Sequence, residues 1–516
     1  MEVTIGVERA KGLLLRLELE DGASNRVLGT GAAGALSFAL DNGAELVIAG
    51  LGKTSSLTLE GLRRAAGQCV RGIAARRVTM VSLELQEIAA VAAACGCTVE
   101  ATVEAWTEGW LLGGYSFDKY KMPSARFCAV DCLHIIVDDA GGRSNGIAVG
   151  EAGIGIDGNG VAGVATAYGD GERVGKCYSV SARKAVERAS IRAEAVMLAS
   201  DWCNEPSNVM TPHRLTEACR EHFSSLPGME CNVIEDDALH ELGMSGLLTV
   251  GMGSSHGPAM IELAYRTKTE LPLIALIGKG VTFDMGGMNV KEGKDLSEAR
   301  YDMGGACAVL GAMHMLAKLG MEANIVALIP TAYNVPDGEA YVPSTVIAYP
   351  NGLHVQVGNT DAEGRLILAD ALLHAQRLGA SRIIDIATLT GNVGQALGLG
   401  MAGVWGDMEM SLALHELGER NGDRNWTMPL VEDYEELLHS DYADMNNIGS
   451  SPYGGAIQAA LFLRRFVDKD VCWTHIDMAN TVQAKSGRGY TPAGATGYGV
   501  RLIADYILSV TEERQR

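Results

Sequence analysis

Two carboxylates and a guanidinium stand within the eight residues Asn359-Thr360-Asp361-Ala362-Glu363-Gly364-Arg365-Leu366. Asp361 and Glu363 are two apart, a spacing that aims both side chains the same way where the backbone is extended. Parallel carboxylates at that range repel and raise one another's pKa unless a cation sits between them. A divalent metal is the simplest such cation. A second reading of the octet is a helix start, with Thr360 as N-cap and Glu363 reaching back in a capping box. Upstream, the glycine-flanked Lys279, then Asp284, Lys291 and Asp302 add carboxylates and amines. Asp284, Asp302, Asp361 and Glu363 exceed what one divalent ion needs, whereas two ions bridged by shared carboxylates use all four. Lys279 can join them only as the neutral amine, which desolvation beside a cation favours. Taken singly, Lys279 also reads as a salt bridge to Asp284, and Asp302 as a helix N-cap; their convergence on one site favours metal.

A site already holding two metal ions gains from further cations only where they touch substrate. Lys291 is therefore read as the electrophile that polarises a carbonyl and stabilises the oxyanion formed when a metal-bridging hydroxide attacks. Arg365, with the backbone N–H groups of Ala362, Gly364 and Leu389, reads as a nest for a small anion that serves as base.

These side chains need a rim to stand on. Near-continuous apolar runs at 259–265, 273–277, 324–329, 354–357 and 382–386 predict buried strands of one sheet. Helices are expected over 304–319 and 366–378, so βαβ crossovers and a mostly parallel core follow. Tyr349-Pro350-Asn351-Gly352 predicts a turn and an antiparallel edge. Ligands of open α/β sheets bind beyond the carboxyl ends of the strands. The loops after 273–277, 354–357 and 382–386 carry the candidates, the last as Thr388-Leu389-Thr390-Gly391. The fold class expected is α/β in two domains: an N-terminal α/β domain over 1–180, a linking helix over 181–205 that Pro206 ends, and a catalytic α/β/α domain over 206–516 with a central mixed, mostly parallel sheet. Thr211-Pro212 opens a helix running to about residue 223.

Two glycine-rich stretches are decoys. Gly50-Leu51-Gly52-Lys53-Thr54 ends like a phosphate-binding loop, but Val47 stands where its first glycine belongs, and a strand-to-helix turn is expected. The run from Gly153 to Gly160 lacks dinucleotide-binding spacing and reads as a loop. A nucleotide-handling enzyme is excluded on these spacings. The net charge of −21, from 42 basic and 63 acidic residues, disfavours nucleic acid and anionic membrane as partners. No apolar run reaches the ~18 residues of a membrane span, and the acidic start lacks signal or transit character, so a cytoplasmic protein is expected. Eleven cysteines at irregular spacing do not form a disulfide framework, and Cys95, Cys97, Cys128 and Cys132 lack the pairs of a zinc knuckle.

The stretch 278–305, the octet, and Ala387-Thr388-Leu389-Thr390-Gly391 resemble the cytosolic leucyl aminopeptidase family of dinuclear-metal exopeptidases, whose signature is the octet. Downstream, Met428-Pro429-Leu430, Ala443-Asp444-Met445-Asn446-Asn447, His475-Ile476-Asp477-Met478-Ala479 and Gly494-Ala495-Thr496-Gly497 extend the resemblance over roughly 195–505, while the first 175 residues match weakly. The resemblance implies that Lys279, Asp284, Asp302, Asp361 and Glu363 are metal ligands, Lys291 and Arg365 catalytic residues, and bicarbonate the anion on Arg365. It further implies a homohexamer of two-domain subunits whose active sites face an interior cavity. Zinc or manganese is expected, with magnesium or cobalt also compatible with carboxylate ligands. The activity implied is release of N-terminal residues from peptides, the free amine binding one metal and the scissile carbonyl the other. Departures are Met285 for the usual Ser or Thr, Glu292 for proline and Asn392 for alanine. Ala299, assigned to the substrate pocket with Thr388 and Gly391, replaces a frequent methionine. A wider pocket follows, accepting leucine and other bulky apolar residues. The alternative within the family is a non-catalytic DNA-binding or scaffold role, against which the charge argues.

Overall fold

Short runs of branched apolar residues pair wherever both faces can be buried. In the structure, a computed structural model, the described residues are 1–6, 12–21, 32–41, 44–137, 171–293 and 295–513. The run from Gly153 to Gly160 lies outside them. The chain forms two compact units, one of Met1–Gly114 with Phe127–Ser190 and one of Tyr115–Arg126 with Ile191–Arg516.

The first unit holds a six-stranded sheet in the order Glu2–Gly6, Cys132–Ile136, Met80–Glu84, Leu13–Glu18, Ala44–Gly50, Leu36–Asp41, parallel except at the last pair. Helix Leu59–Ala74 begins where the Thr58 side chain accepts the Gly61 N–H, and it buries Leu62, Val70 and Ile73. It packs against helix Val99–Gly113, where a Cβ on Gly109 would lie 2.2 Å from the Arg63 carbonyl oxygen. The 50–54 stretch is the expected strand-to-helix turn: Thr54 donates its N–H and hydroxyl to Asp21 at 2.9 and 2.8 Å.

The second unit is built on a nine-stranded mixed sheet. Cys472–Asp477, Arg382–Ala387, Ile274–Gly278 and Asn324–Asn334 form its parallel centre. Ala259–Arg266 and Met229–Glu235 extend one side antiparallel, and Ala402–Gly406 with Asn425–Thr427 close the other. Helix Gly364–Arg377 shares one core with Ala275, Ile277, Val326, Leu328 and Ile383. Side chains alternate faces along a strand, so helix Gly304–Lys318, which also packs on the strands Ile274–Gly278 and Arg382–Ala387, covers the opposite face. This is the α/β/α sandwich that the sequence predicts.

Two strands depart from expectation. His354–Gln356 does not join the main sheet but pairs with Val346–Ala348 and Met445–Asn446 in a separate three-stranded sheet. Its residues alternate, His354 exposed and Val355 buried, which is the pattern of a half-buried strand rather than a central one. The strand expected to end at residue 329 runs on to Asn334 through Pro330. Residues 325–328 pair with 274–277 and residues 331–334 with Gly280–Asp284, so Pro330 sits where one parallel partner hands over to the next and no ladder N–H is required of it.

Helix Pro212–Phe223 starts at Thr211 with Pro212 in its first turn, as expected. It sets His222 Nε2 2.9 Å from Nδ1 of the buried His314, which lies 3.4 Å from Glu194. The described cysteines are free, with Cys69, Cys203, Cys219 and Cys307 buried. Among the described residues no single helix is long and apolar enough to cross a membrane.

Candidate active site

Lys279 stands between two strands, Ile274–Gly278 and Gly280–Asp284. Its N–H donates to the Ile386 carbonyl at 3.1 Å and its own carbonyl accepts the Ala306 N–H at 2.8 Å. A neighbouring strand and the helix over one face therefore hold the backbone while the side chain reaches into the interior. Its Nζ lies 2.7 Å from Asp302 Oδ2, 2.8 Å from Glu363 Oε1 and 3.0 Å from the Thr388 carbonyl oxygen. The stem lies against Gly364, where a Cβ would come 2.7 Å from Lys279 Cε and would push the lysine from its present position.

Asp284 ends its strand. Its Oδ1 accepts the Gly286 N–H at 2.9 Å and its Oδ2 lies 2.6 Å from Lys291 Nζ, which also contacts the Asp361 carboxylate. Asp302 sits in the 3₁₀ segment Leu296–Met303 and accepts the Thr388 hydroxyl at 2.7 Å. It is not a helix cap, since Met303 precedes helix Gly304–Lys318. Ligand oxygens of Asp284, Asp361 and Glu363 all lie within 4.8 Å of one another.

The octet reaches this arrangement by a different path from the extended one expected. Thr360 and Asp361 form a turn, and Glu363 precedes helix Gly364–Arg377 in helical conformation with no side-chain cap bond. Thr360 is not the N-cap. Its hydroxyl donates to the Gly286 carbonyl at 2.6 Å and accepts the Asn289 N–H at 2.8 Å, tying the octet to the loop that carries Lys291. The turn, not a strand, brings Asp361 and Glu363 together.

Burial pushes Glu363 up to about 8 and Asp302 to about 6, in each case with Asp284 adding repulsion against the pull of the lysines. Asp361 is raised for the same reasons. Burial draws the ammonium of Lys279 down, but Asp302, Glu363 and Asp284 outweigh it and raise the pKa well above the ordinary lysine range; Lys291 is raised likewise by Asp284, Glu363 and Asp302. Four carboxylates thus face two ammonium groups, a deficit of positive charge in a largely buried site. Hard, oxygen-seeking divalent ions fit that donor set.

The carboxylates and both lysines line a cleft of about 520 Å³, and Ala299, Thr388, Leu389 and Gly391 form part of its wall. Ala362, Gly364 and Arg365 do not line it. Arg365 is buried behind it, donating to the Asn447 carbonyl at 2.7 Å and lying 5.9 Å above the Phe462 ring, and burial lowers its pKa to about 10. Two of the three N–H groups assigned to an anion have internal acceptors: Ala362 donates to the Asn359 carbonyl at 3.3 Å and Leu389 to Asp477 Oδ1 at 3.2 Å.

Sequence reasoning passed over three supports. Asn334 contacts two of the carboxylates, Tyr341 donates its hydroxyl to the Thr360 carbonyl at 2.8 Å, and Asp477 accepts the N–H groups of Leu389, Thr390 and Ala479. The signal for Asn334 was its place at a strand end on the same rim, hidden by ending that strand before Pro330. Asp477 lay in a stretch read only for its resemblance.

An α/β/α sandwich with a carboxylate-lined cleft at the strand ends is an arrangement that suits a metal-dependent hydrolase. The comparisons narrow the class. Residues 197–504 match the model described as "Cytosol aminopeptidase family, catalytic domain", and residues 30–124 match the family's N-terminal domain. A probable cytosol aminopeptidase of Geobacter sulfurreducens is 37% identical over 465 residues, covering 90% of this chain and 84% of that one. A second, of Persephonella marina, is 40% identical over 338 residues, 65% of this chain and 68% of that one. Among solved structures, the bottromycin maturation enzyme BotP in complex with Mn superposes with a TM-score of 0.81 at 28% identity, over 97% of this chain and all of that one. The chain belongs to the cytosol aminopeptidase family, whose members are metal-dependent aminopeptidases acting on peptides.

Proposed function

We propose that this chain releases N-terminal residues from peptides, with a preference for leucine and other bulky apolar side chains, using two divalent ions. Zinc or manganese is favoured, and magnesium or cobalt would suit the same oxygens. The observation that carries the reading is the charge deficit: Asp284, Asp302, Asp361 and Glu363 converge on one cleft with only Lys279 and Lys291 to balance them. Those four acids and Lys279 would hold the ions, which supply Lewis acidity and an activated water.

The chain's own residues do the rest. Lys291, which lines the cleft, donates a hydrogen bond from its ammonium group to the carbonyl oxygen of the scissile bond, where negative charge develops. Thr388, Gly391 and Ala299 wall the space for the first side chain. Small residues there leave room for a branched apolar group. Arg365, which donates to the Asn447 carbonyl behind the cleft, would hold bicarbonate, and that anion would supply a base. The anion would have to displace the internal acceptors of Ala362 and Leu389 to use their N–H groups. The subunit functions in the cytoplasm as a homohexamer.

Hydrolysis of leucyl-amide, followed before and after chelation and in Asp361→Ala and Lys291→Ala, tests this reading. Activity should fall by at least ~10²-fold in each case. Full activity in the chelated enzyme or in either variant would refute it, and light scattering gives the assembly mass in the same samples.

A further inference from the structure

The carboxylates of the cleft must present particular oxygens to a bound ion, and something must hold the others. Asn334 is fully buried and stands in register opposite Asp284, at the end of the long strand that Pro330 interrupts in sequence but not in space. Its Nδ2 lies 2.8 Å from Asp284 Oδ1, 3.0 Å from the Thr360 carbonyl oxygen and 3.3 Å from Glu363 Oε2. A side-chain amide has two hydrogens on nitrogen and no charge. Three acceptors around that nitrogen leave no ambiguity about which end of the amide faces the acids.

The opposite oxygens of the same two carboxylates face the cations. Asp284 Oδ2 is 2.6 Å from Lys291 Nζ, and Glu363 Oε1 is 2.8 Å from Lys279 Nζ. The neutral amide therefore lies against the rear oxygen of two acids that arrive on separate segments, closely on Asp284 and at the longer 3.3 Å on Glu363, and it leaves the front oxygen of each turned into the cleft. Among the described residues, Asn334 is the donor to Glu363 Oε2, whereas Asp284 Oδ1 has the Gly286 N–H as well. A lysine in its place would cancel charge the ions need to see, and an aspartate would add repulsion. An amide orients the acids without changing the charge count.

We propose that Asn334 is a positioning residue that pre-orients Asp284 and Glu363 for metal, an inference that rests on the metal reading above. Outer partners of metal ligands commonly contribute 10- to 100-fold in affinity. The test uses the full chain, stripped of metal and titrated with Mn²⁺ against a chromophoric chelator, with near-ultraviolet circular dichroism reporting the fold. Asn334→Leu keeps the branched shape and Asn334→Ala removes it; both should bind Mn²⁺ about 10- to 100-fold more weakly, with kcat lowered and KM for leucyl-amide little changed. Tyr265→Phe removes a buried hydroxyl that donates to the Met321 carbonyl away from the cleft, and should stay within about twofold of wild type. A folded Asn334 variant with wild-type affinity, or an equal loss in Tyr265→Phe, would overturn the proposal. Wild-type protein that takes up no Mn²⁺ would overturn the metal reading itself, so the two failures are separable.

Discussion

At the scale of single residues, Ala299 is the cleft-lining side chain on which the proposed selectivity can be tested. It lies on the 3₁₀ segment beside Asp302 and contributes to the cleft wall facing Thr388 and Gly391. Its methyl group leaves a volume that a methionine would fill, and one or two methylenes in an apolar pocket are worth about 1–3 kcal/mol of discrimination. Ala299→Met should therefore narrow the range of accepted N-terminal residues, lowering kcat/KM about tenfold for the bulkiest and leaving alanine little affected. A dipeptide panel run on both proteins checks this; a variant as tolerant as wild type would dismiss Ala299 as a determinant.

Secondary-structure elements set the next layer of behaviour. Three helices, Gly171–Asn204, Pro212–Phe223 and Gly304–Lys318, meet around His222 and His314, with Trp202 and Phe223 edge-on to His222. Burial drives the His314 pKa down to about 4, helped by His222 and Lys318 and opposed by Glu194; His222 is lowered as well. The unfolded chain, with an ordinary histidine pKa near 6.5, binds that proton more tightly than the folded one. The resulting stability is complete above pH ~6.5 and is lost as pH falls toward 4, on the order of 2 kcal/mol after allowing for solvent screening. Urea denaturation at pH 7.5 and 5 should show this loss, and His314→Gln should flatten it. An unchanged slope in the variant would assign the acid lability elsewhere.

The elements also show what can be read before a structure exists. Continuous apolar runs disclosed the central parallel strands, because burial on both faces leaves a one-dimensional trace. The Thr211-Pro212 start and the 50–54 turn were legible because capping and turn chemistry are local. The separate small sheet was not, since three-residue strands carry little pattern and their partners at 445–446 lie about ninety residues away. Pro330 concealed the strand end bearing Asn334, because its tolerance depends on a change of partner that only three dimensions reveal. The acids that converge were identifiable from their types and rim positions. The turn that joins Asp361 to Glu363 was not, because Thr360 spends its hydroxyl on a distant loop rather than on its own helix.

For the molecule as a whole, the excess of 21 negative charges and the acid-rich cleft have the same sign, so metal ions are drawn in while polyanions are repelled. Binding that favours the folded state adds stability by mass action, about 2.7 kcal/mol per site at a hundredfold excess over Kd. Loading the stripped protein with Mn²⁺ should therefore raise the melting temperature by roughly 5–10 °C. Differential scanning calorimetry with Asp361→Ala alongside gives the answer; an equal rise in the variant would place the stabilising ions outside the cleft.

The position of Lys279 between two strands bears on how the protein matures. Every residue assigned to the metals is synthesised by position 363, but the backbone of Lys279 is held by Ile386, and the strand carrying Ile386 is flanked in turn by Cys472–Asp477. A nascent chain thus exposes all its acids long before the cleft closes, and sites absent from incomplete folds retain ions poorly. If these residues hold the ions, capture is expected only after the strand Cys472–Asp477 has emerged. A product terminated before Cys472–Asp477, although it contains the whole octet, is therefore expected to be inactive in the leucyl-amide assay.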